Sequence, residues 1–184
     1  MKRPRRTPPD AAIPMRFLYL FSVWVHIVAA AVWIGGLFFI VLVVVPWLRR
    51  GGEGATDPGA FLSDTGKRFR AVGWICFALL LVTGAFNLWV RGVTLAPLVD
   101  PQWWASPLGT AVALKLAVFS VVVVASAVHD FVLGPRATEV MRTDPRSAAA
   151  TRLRRQASLL GRLNGALALV LVALGVVIVR GWPW

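Results

Sequence analysis

The sequence has little cysteine and few acidic residues, and both shortages exclude classes of protein. A single cysteine, Cys76, among 184 residues allows no internal disulfide framework and no CxxC or Cys/His cluster for zinc or an iron–sulfur centre. Eight acidic residues stand against twenty Lys and Arg, which gives a formal net charge of +12. The basic residues lie between apolar runs and form no nucleic-acid-binding patch. We therefore expect membrane lipid as a partner and no nucleic acid.

Charged side chains are absent from long stretches of the chain. Residues 17–48 contain no Asp, Glu, Lys or Arg, and 58% of all residues are hydrophobic. About 20 apolar residues are enough for a helix to cross the hydrocarbon core, and the alternation typical of barrel strands is missing. The sequence therefore predicts an all-α, polytopic membrane four-helix bundle, with one membrane domain over residues 1–184. The predicted helices cover about 17–46, 71–90, 108–129 and 159–179.

The distribution of basic residues predicts an orientation. Lys and Arg are more frequent in the loops after the first and third helices than on the opposite side. The positive-inside rule then places these two loops in the cytoplasm of a bacterial-type inner (plasma) membrane. Arginines between residues 146 and 158 indicate a short amphipathic helix on the membrane surface. The sequence does not identify a redox partner, and it is compatible with a homo-oligomer.

Three polar residues interrupt the apolar helices at similar depth. At 1.5 Å per residue, His26 lies roughly 14 Å into the first helix and Lys115 roughly 11 Å into the third, from the same membrane face. Asn87 lies near the end of the second helix, toward that face as well. Ionisable groups inside a membrane are costly and often mark a functional site. The sequence therefore predicts that these three residues share one layer.

One face of the first helix combines His26 with small residues. Ala30, Trp33 and Gly36 lie on the same helical face as His26. Such a face forms a shallow trough in which a flat, wide ligand could lie, although close helix packing also explains small residues. The predicted helices hold no Asp or Glu to pair with Lys115. Its partner could be a carboxylate of a bound molecule, or Lys115 could be a neutral ligand.

A second histidine stands where the third helix meets a basic loop. His129 lies roughly 21 Å along the helix from Lys115, too far to share a metal ion with His26. His129 and Asp130 could form a structural interfacial pair beside Arg136. They could instead form a proton relay or a second haem or metal site. Asn164, in the fourth helix, is expected to make an interhelical hydrogen bond.

Three segments together resemble a known family. These are HIVAAAVWIGGLFF in the first helix, KRFRAVGWICFALLLVTGAFNLWV before and within the second, and LGTAVALKL in the third. They resemble the copper resistance protein D (CopD) family and the related HemJ-type protoporphyrinogen oxidases over roughly residues 20–130. In HemJ-type proteins the corresponding His and Lys are associated with b-type haem. The resemblance thus implies that His26 and Lys115 bind haem b, in electron transfer or in a haem-linked oxidation by a haem-dependent oxidoreductase.

Two alternatives remain open at this point. The CopD resemblance implies copper transport or copper tolerance, but Cu(I) favours Cys and Met ligands. The only methionines, Met1, Met15 and Met141, lie outside the predicted core. The chain also departs from HemJ-type proteins at VLVVVPWLRR, where they carry further polar residues. A structural or assembly subunit without a cofactor is the other alternative.

Overall fold

The structure, a computed structural model, describes residues 12–50, 58–144 and 146–183. These ranges contain helices and no strand. Four helical stretches are long and apolar enough to cross a membrane: Pro14–Leu48, Ser63–Val90, Pro107–Val140 and Ala148–Arg180. For the part of the chain that is described, this confirms the all-α, polytopic prediction.

The described part of the chain contains eight α-helices and two π-helical turns. In chain order the helices are α1 (Ala12–Phe39), α2 (Val45–Arg49), α3 (Pro58–Val90), α4 (Leu95–Leu98), α5 (Pro101–Ala105), α6 (Pro107–Val128), α7 (Gly134–Thr143) and α8 (Ala148–Arg180). The π-helical turns Ile40–Val44 and His129–Leu133 join α1 to α2 and α6 to α7.

The helices are longer than the apolar runs that predicted them. The first continues past Pro46 to Arg49, and Pro46 follows directly after the π-helical turn Ile40–Val44. The expected surface helix at 146–158 is not separate. Its residues from 148 onward form the first turns of α8, continuous with the fourth membrane stretch.

Two capping serines begin the last two membrane-crossing helices. The Ser106 side chain accepts a hydrogen bond from the Gly109 amide at 3.1 Å, and Pro107 follows in the first turn of α6. A Cβ on Gly109 would collide with the Trp103 carbonyl, so glycine is needed where α5 turns into α6. The Ser147 side chain caps α8 in the same way through the Ala150 amide. These local signals fix where α6 starts, and therefore the depth of Lys115.

The four long helices pack as two antiparallel pairs, α1 with α3 and α6 with α8. Phe77 of α3 joins the pairs, because its ring centroid lies 5.0 Å from that of Trp33 in α1 and 5.8 Å from that of Phe119 in α6. The buried apolar core consists of Ala29, Trp33, Cys76, Phe77, Val122 and Ala168. We call the membrane face where α1 begins and α8 ends the terminal face, and the opposite one the loop face.

Candidate functional site

His26 forms a hydrogen bond across the α1–α3 interface. Its Nδ1 lies 2.8 Å from the Thr83 hydroxyl oxygen, and the same hydroxyl lies 2.6 Å from the Leu79 carbonyl oxygen one turn earlier in α3. Thr83 itself is buried. The histidine is thus held in place by a side chain that the helix backbone orients in turn.

This geometry determines the tautomer of the neutral His26 ring. A threonine hydroxyl has one proton, and the Leu79 carbonyl can only accept it. The Thr83 oxygen must therefore accept a hydrogen bond from His26, which requires a proton on Nδ1. In the neutral ring, Nε2 then carries a free lone pair. A histidine fixed through one nitrogen, with the other left as a ligand, is the usual arrangement in metal and haem sites.

Glycine at position 84 leaves room for the imidazole ring. A Cβ on Gly84 would lie 3.4 Å from Cε1 of His26, so an alanine would just make contact. A larger branched side chain would displace the ring. The Thr83-Gly84 pair therefore supplies both a hydrogen-bond acceptor and the space that His26 occupies.

Lys115 extends toward the fourth membrane-crossing helix. Its Nζ would lie 3.3 Å from a Cβ placed on Gly175 of α8. The side chain is half-buried and lies within electrostatic range of His26. Within the described ranges, no carboxylate lies at ion-pair distance from Lys115. A cation at this depth without a carboxylate partner is costly, which favours a bound molecule that interacts with it.

Two further polar side chains lie on the terminal-face side of His26. Ser22 precedes His26 by one helical turn and is 7% exposed. Asn87 follows Thr83 by one turn in the antiparallel helix and is half-buried. Neither the Ser22 hydroxyl nor the Asn87 side-chain oxygen has a hydrogen-bond partner in the described part of the chain.

The predicted trough is largely occupied by α3. Trp33 is 5% exposed and packs on Phe77, and a Cβ on Gly36 would collide with the Phe69 ring. Ala30 is half-buried. Close helix packing therefore accounts for Trp33 and Gly36, and the polar groups are concentrated nearer the terminal face.

His129 belongs to a separate cluster at the loop face. Its Nδ1 lies 3.0 Å from one Asp130 carboxylate oxygen, and Trp74 Nε1 donates to the other at 3.1 Å. Arg70 donates to the Asp130 backbone oxygen at 2.9 Å. The expected neighbour was Arg136, but Arg70 of α3 takes that place, because the second π-helical turn brings Asp130 against α3. Asp130 thus links α3 to the end of α6.

No group of three or more His, Cys, Asp or Glu suited to a metal ion occurs among the described residues. The structure brings His26 and Lys115 into one region and leaves His129 at the other face. Sequence reasoning missed Thr83, Ser22 and Gly175. Thr83 had a signal, since Thr83-Gly84 lies in the second-helix segment that resembles the family, but nothing in the sequence indicated that it pairs with His26.

Four membrane-crossing helices with a fixed histidine and a half-buried lysine between them define a multi-pass membrane protein with an internal polar site. Residues 63–179 match the family model of copper resistance protein D. A protein of Aquifex aeolicus (strain VF5), described as uncharacterized, is 34% identical over 169 residues, which cover 91% of this chain and 98% of that protein. The chain belongs to the copper resistance protein D (CopD) family. No solved structure matches it significantly.

The family match covers three of the four membrane-crossing helices. It begins at Ser63, so it includes Thr83, Asn87 and Lys115 and continues through α8. The His-Trp-Gly-Gly pattern around His26 lies before the matched range. The resemblance of α1 to the family therefore rests on the residues of α1 and not on the family-model match. Thr83 connects the matched part of the chain to His26 through a hydrogen bond.

Proposed function

We propose that this protein binds haem b within the membrane and acts in electron transfer or a haem-linked oxidation. The observation that carries the proposal is the hydrogen bond from His26 to Thr83, which leaves Nε2 of His26 free as a ligand. Histidine is a common axial ligand of haem iron, and the identity of the axial ligands is a main control of its potential. A bound haem would supply one-electron chemistry at its iron.

The residues of this chain would hold and orient the group. His26 would ligate through Nε2, while Thr83 keeps the ring in one orientation and one tautomer. Lys115 would either ligate as the neutral amine or pair, as the cation, with a carboxylate of the bound molecule. The apolar core around Trp33 and Phe77 lies on the loop-face side of the site and would keep water from it.

The proposal includes a location and an orientation. Four membrane-crossing helices fit a multi-pass protein of a bacterial inner membrane. The loop face would be cytoplasmic, because the loops there are the more basic ones.

Copper transport or tolerance is the second candidate, and the name of the matched family favours it. The chemistry of the side chains favours it less. Cys76 is 4% exposed and lines an apolar groove of about 280 Å³ between α1 and α3, together with Trp24, Val28 and Ile75. Within the described residues no thiol or thioether accompanies His26, although Cu(I) prefers such ligands.

A reduced-minus-oxidised visible spectrum of the detergent-purified protein, with metal analysis of the same sample, tests the proposal. Expression with an ample supply of haem should give a b-type spectrum and iron in proportion to protein. Stoichiometric copper without porphyrin would support the second candidate instead. A colourless protein without either metal would contradict both and favour a structural or assembly subunit.

A further inference from the structure

Ser22 and Asn87 occupy the same level of the α1–α3 interface. These helices are antiparallel, and His26 meets Thr83 between them. Ser22 lies one turn before His26 in α1, and Asn87 lies one turn after Thr83 in α3. In each helix, four residues at 1.5 Å per residue place the second side chain roughly 6 Å nearer the terminal face. The two polar side chains therefore form the layer next to the His26–Thr83 bond.

Both side chains in this layer have hydrogen-bonding capacity that the protein does not use. Ser22 is more than nine-tenths buried, and its hydroxyl has no partner in the described part of the chain. The side-chain oxygen of Asn87 is also buried and has no hydrogen-bond partner there. Buried polar groups are normally hydrogen-bonded, and the cost of leaving them unpaired is high where water is scarce. Two such groups in one layer indicate a partner that bonds both.

We propose that Ser22 and Asn87 form a subsite for the carboxyl group of the molecule bound at His26. This inference rests on the proposed function and identifies the part of the ligand that faces the terminal side. Lys115, in the same half of the membrane and without a carboxylate partner in the described ranges, offsets the negative charge.

A carboxyl group matches the donors and acceptors of this layer. As a carboxylate it accepts from the Ser22 hydroxyl and from the Asn87 NH₂ group once the amide has turned. As a neutral acid it accepts from Ser22 and donates to the Asn87 oxygen. An ester lacks both the charge and the donor, so its carbonyl oxygen accepts from Ser22 and Asn87 only as a neutral group, which gives weaker hydrogen bonds. The subsite should therefore distinguish an acid from its ester.

Haem b and its dimethyl ester provide the test, because they differ only at the two carboxyl groups. Each porphyrin is titrated into the full-length apoprotein in detergent micelles, and the ratio of the two dissociation constants is measured. The wild-type protein should bind the free acid about tenfold more tightly, as hydrogen bonds to a charged group imply. Ser22→Ala and Asn87→Leu should each lower this ratio, by about threefold, because the other side chain and Lys115 remain in place. Ser22→Ala removes only the hydroxyl, so it should preserve the fold.

Asn164→Leu is the matched control. Asn164 is also 7% exposed and also has an unpartnered side-chain oxygen, but it lies in the other helix pair. This variant should keep the wild-type ratio. If the ratio in Ser22→Ala and Asn87→Leu equals that of wild type, the subsite is refuted and haem binding stands. If neither porphyrin binds to the wild-type protein, the proposed function fails, and this inference fails with it.

Discussion

Replacing Thr83 with valine tests whether the His26 ring is held for ligation. Valine has nearly the same shape as threonine and lacks the hydroxyl, so the packing of α1 against α3 should survive. The substitution removes the acceptor that lies 2.8 Å from Nδ1 of His26. His26 then loses both its orientation and the partner that fixes its tautomer.

Two independent considerations give a similar magnitude for this loss. Leaving a buried donor without an acceptor costs about 1–3 kcal/mol. Loss of an outer partner of a ligating histidine lowers metal affinity by roughly 10–100-fold, and a factor of ten corresponds to about 1.4 kcal/mol. We therefore expect Thr83→Val to weaken haem binding by at least about tenfold.

The assay is a haem titration of the apoprotein in detergent, followed by visible absorbance. Thr83→Ser keeps the hydroxyl and serves as the control, with an affinity close to that of wild type. If Thr83→Val binds haem as tightly as the wild-type protein, the hydrogen bond does not prepare His26 as a ligand. The tautomer reasoning would then be refuted.

Three further substitutions test the packing and the loop-face cluster. Gly36→Leu should lower the thermal midpoint by displacing a ring of α3, whereas Gly35→Leu, where a Cβ meets open space, should not. Trp33→Ala should lower the free energy of unfolding, measured by chemical denaturation, by about 2 kcal/mol or more. This is less than the roughly 3–5 kcal/mol lost in soluble cores, because in a membrane the exposed side chain meets lipid and not water. Trp24→Ala, at a position that is 58% exposed, should change the free energy of unfolding little. Asp130→Ala should destabilise the fold by about 1 kcal/mol or more, since it leaves the part-buried Trp74 N–H without its acceptor. Haem content should stay unchanged; a loss of haem in that variant would show that the two faces are coupled.

Much of the architecture followed from apolar length alone, because a helix that crosses lipid must satisfy its backbone internally. Counting residues from the helix ends also gave similar depths for His26 and Lys115. The interhelical bond expected of Asn164 is confirmed, since its Nδ2 donates to the Ser126 hydroxyl at 3.0 Å. Each of these predictions depends on one helix, or on the rule that a buried amide needs a partner.

The partners of the polar residues could not be read from the sequence in the same way. Thr83 meets His26 in the same register of α1 against α3 in which Trp33 packs against Phe77. That register cannot be derived by counting residues along one helix. The same limit explains why Arg70, and not the nearby Arg136, contacts Asp130. Contacts between helices follow from the shapes of several side chains at once.

The most direct test of the central claim is the visible difference spectrum of His26→Ala, compared with wild type and with His129→Ala. All three proteins are expressed with the same haem supply and purified in detergent. The wild-type protein and His129→Ala should show a b-type haem spectrum, and His26→Ala should show none while remaining folded by circular dichroism. Normal haem content in His26→Ala would contradict the account.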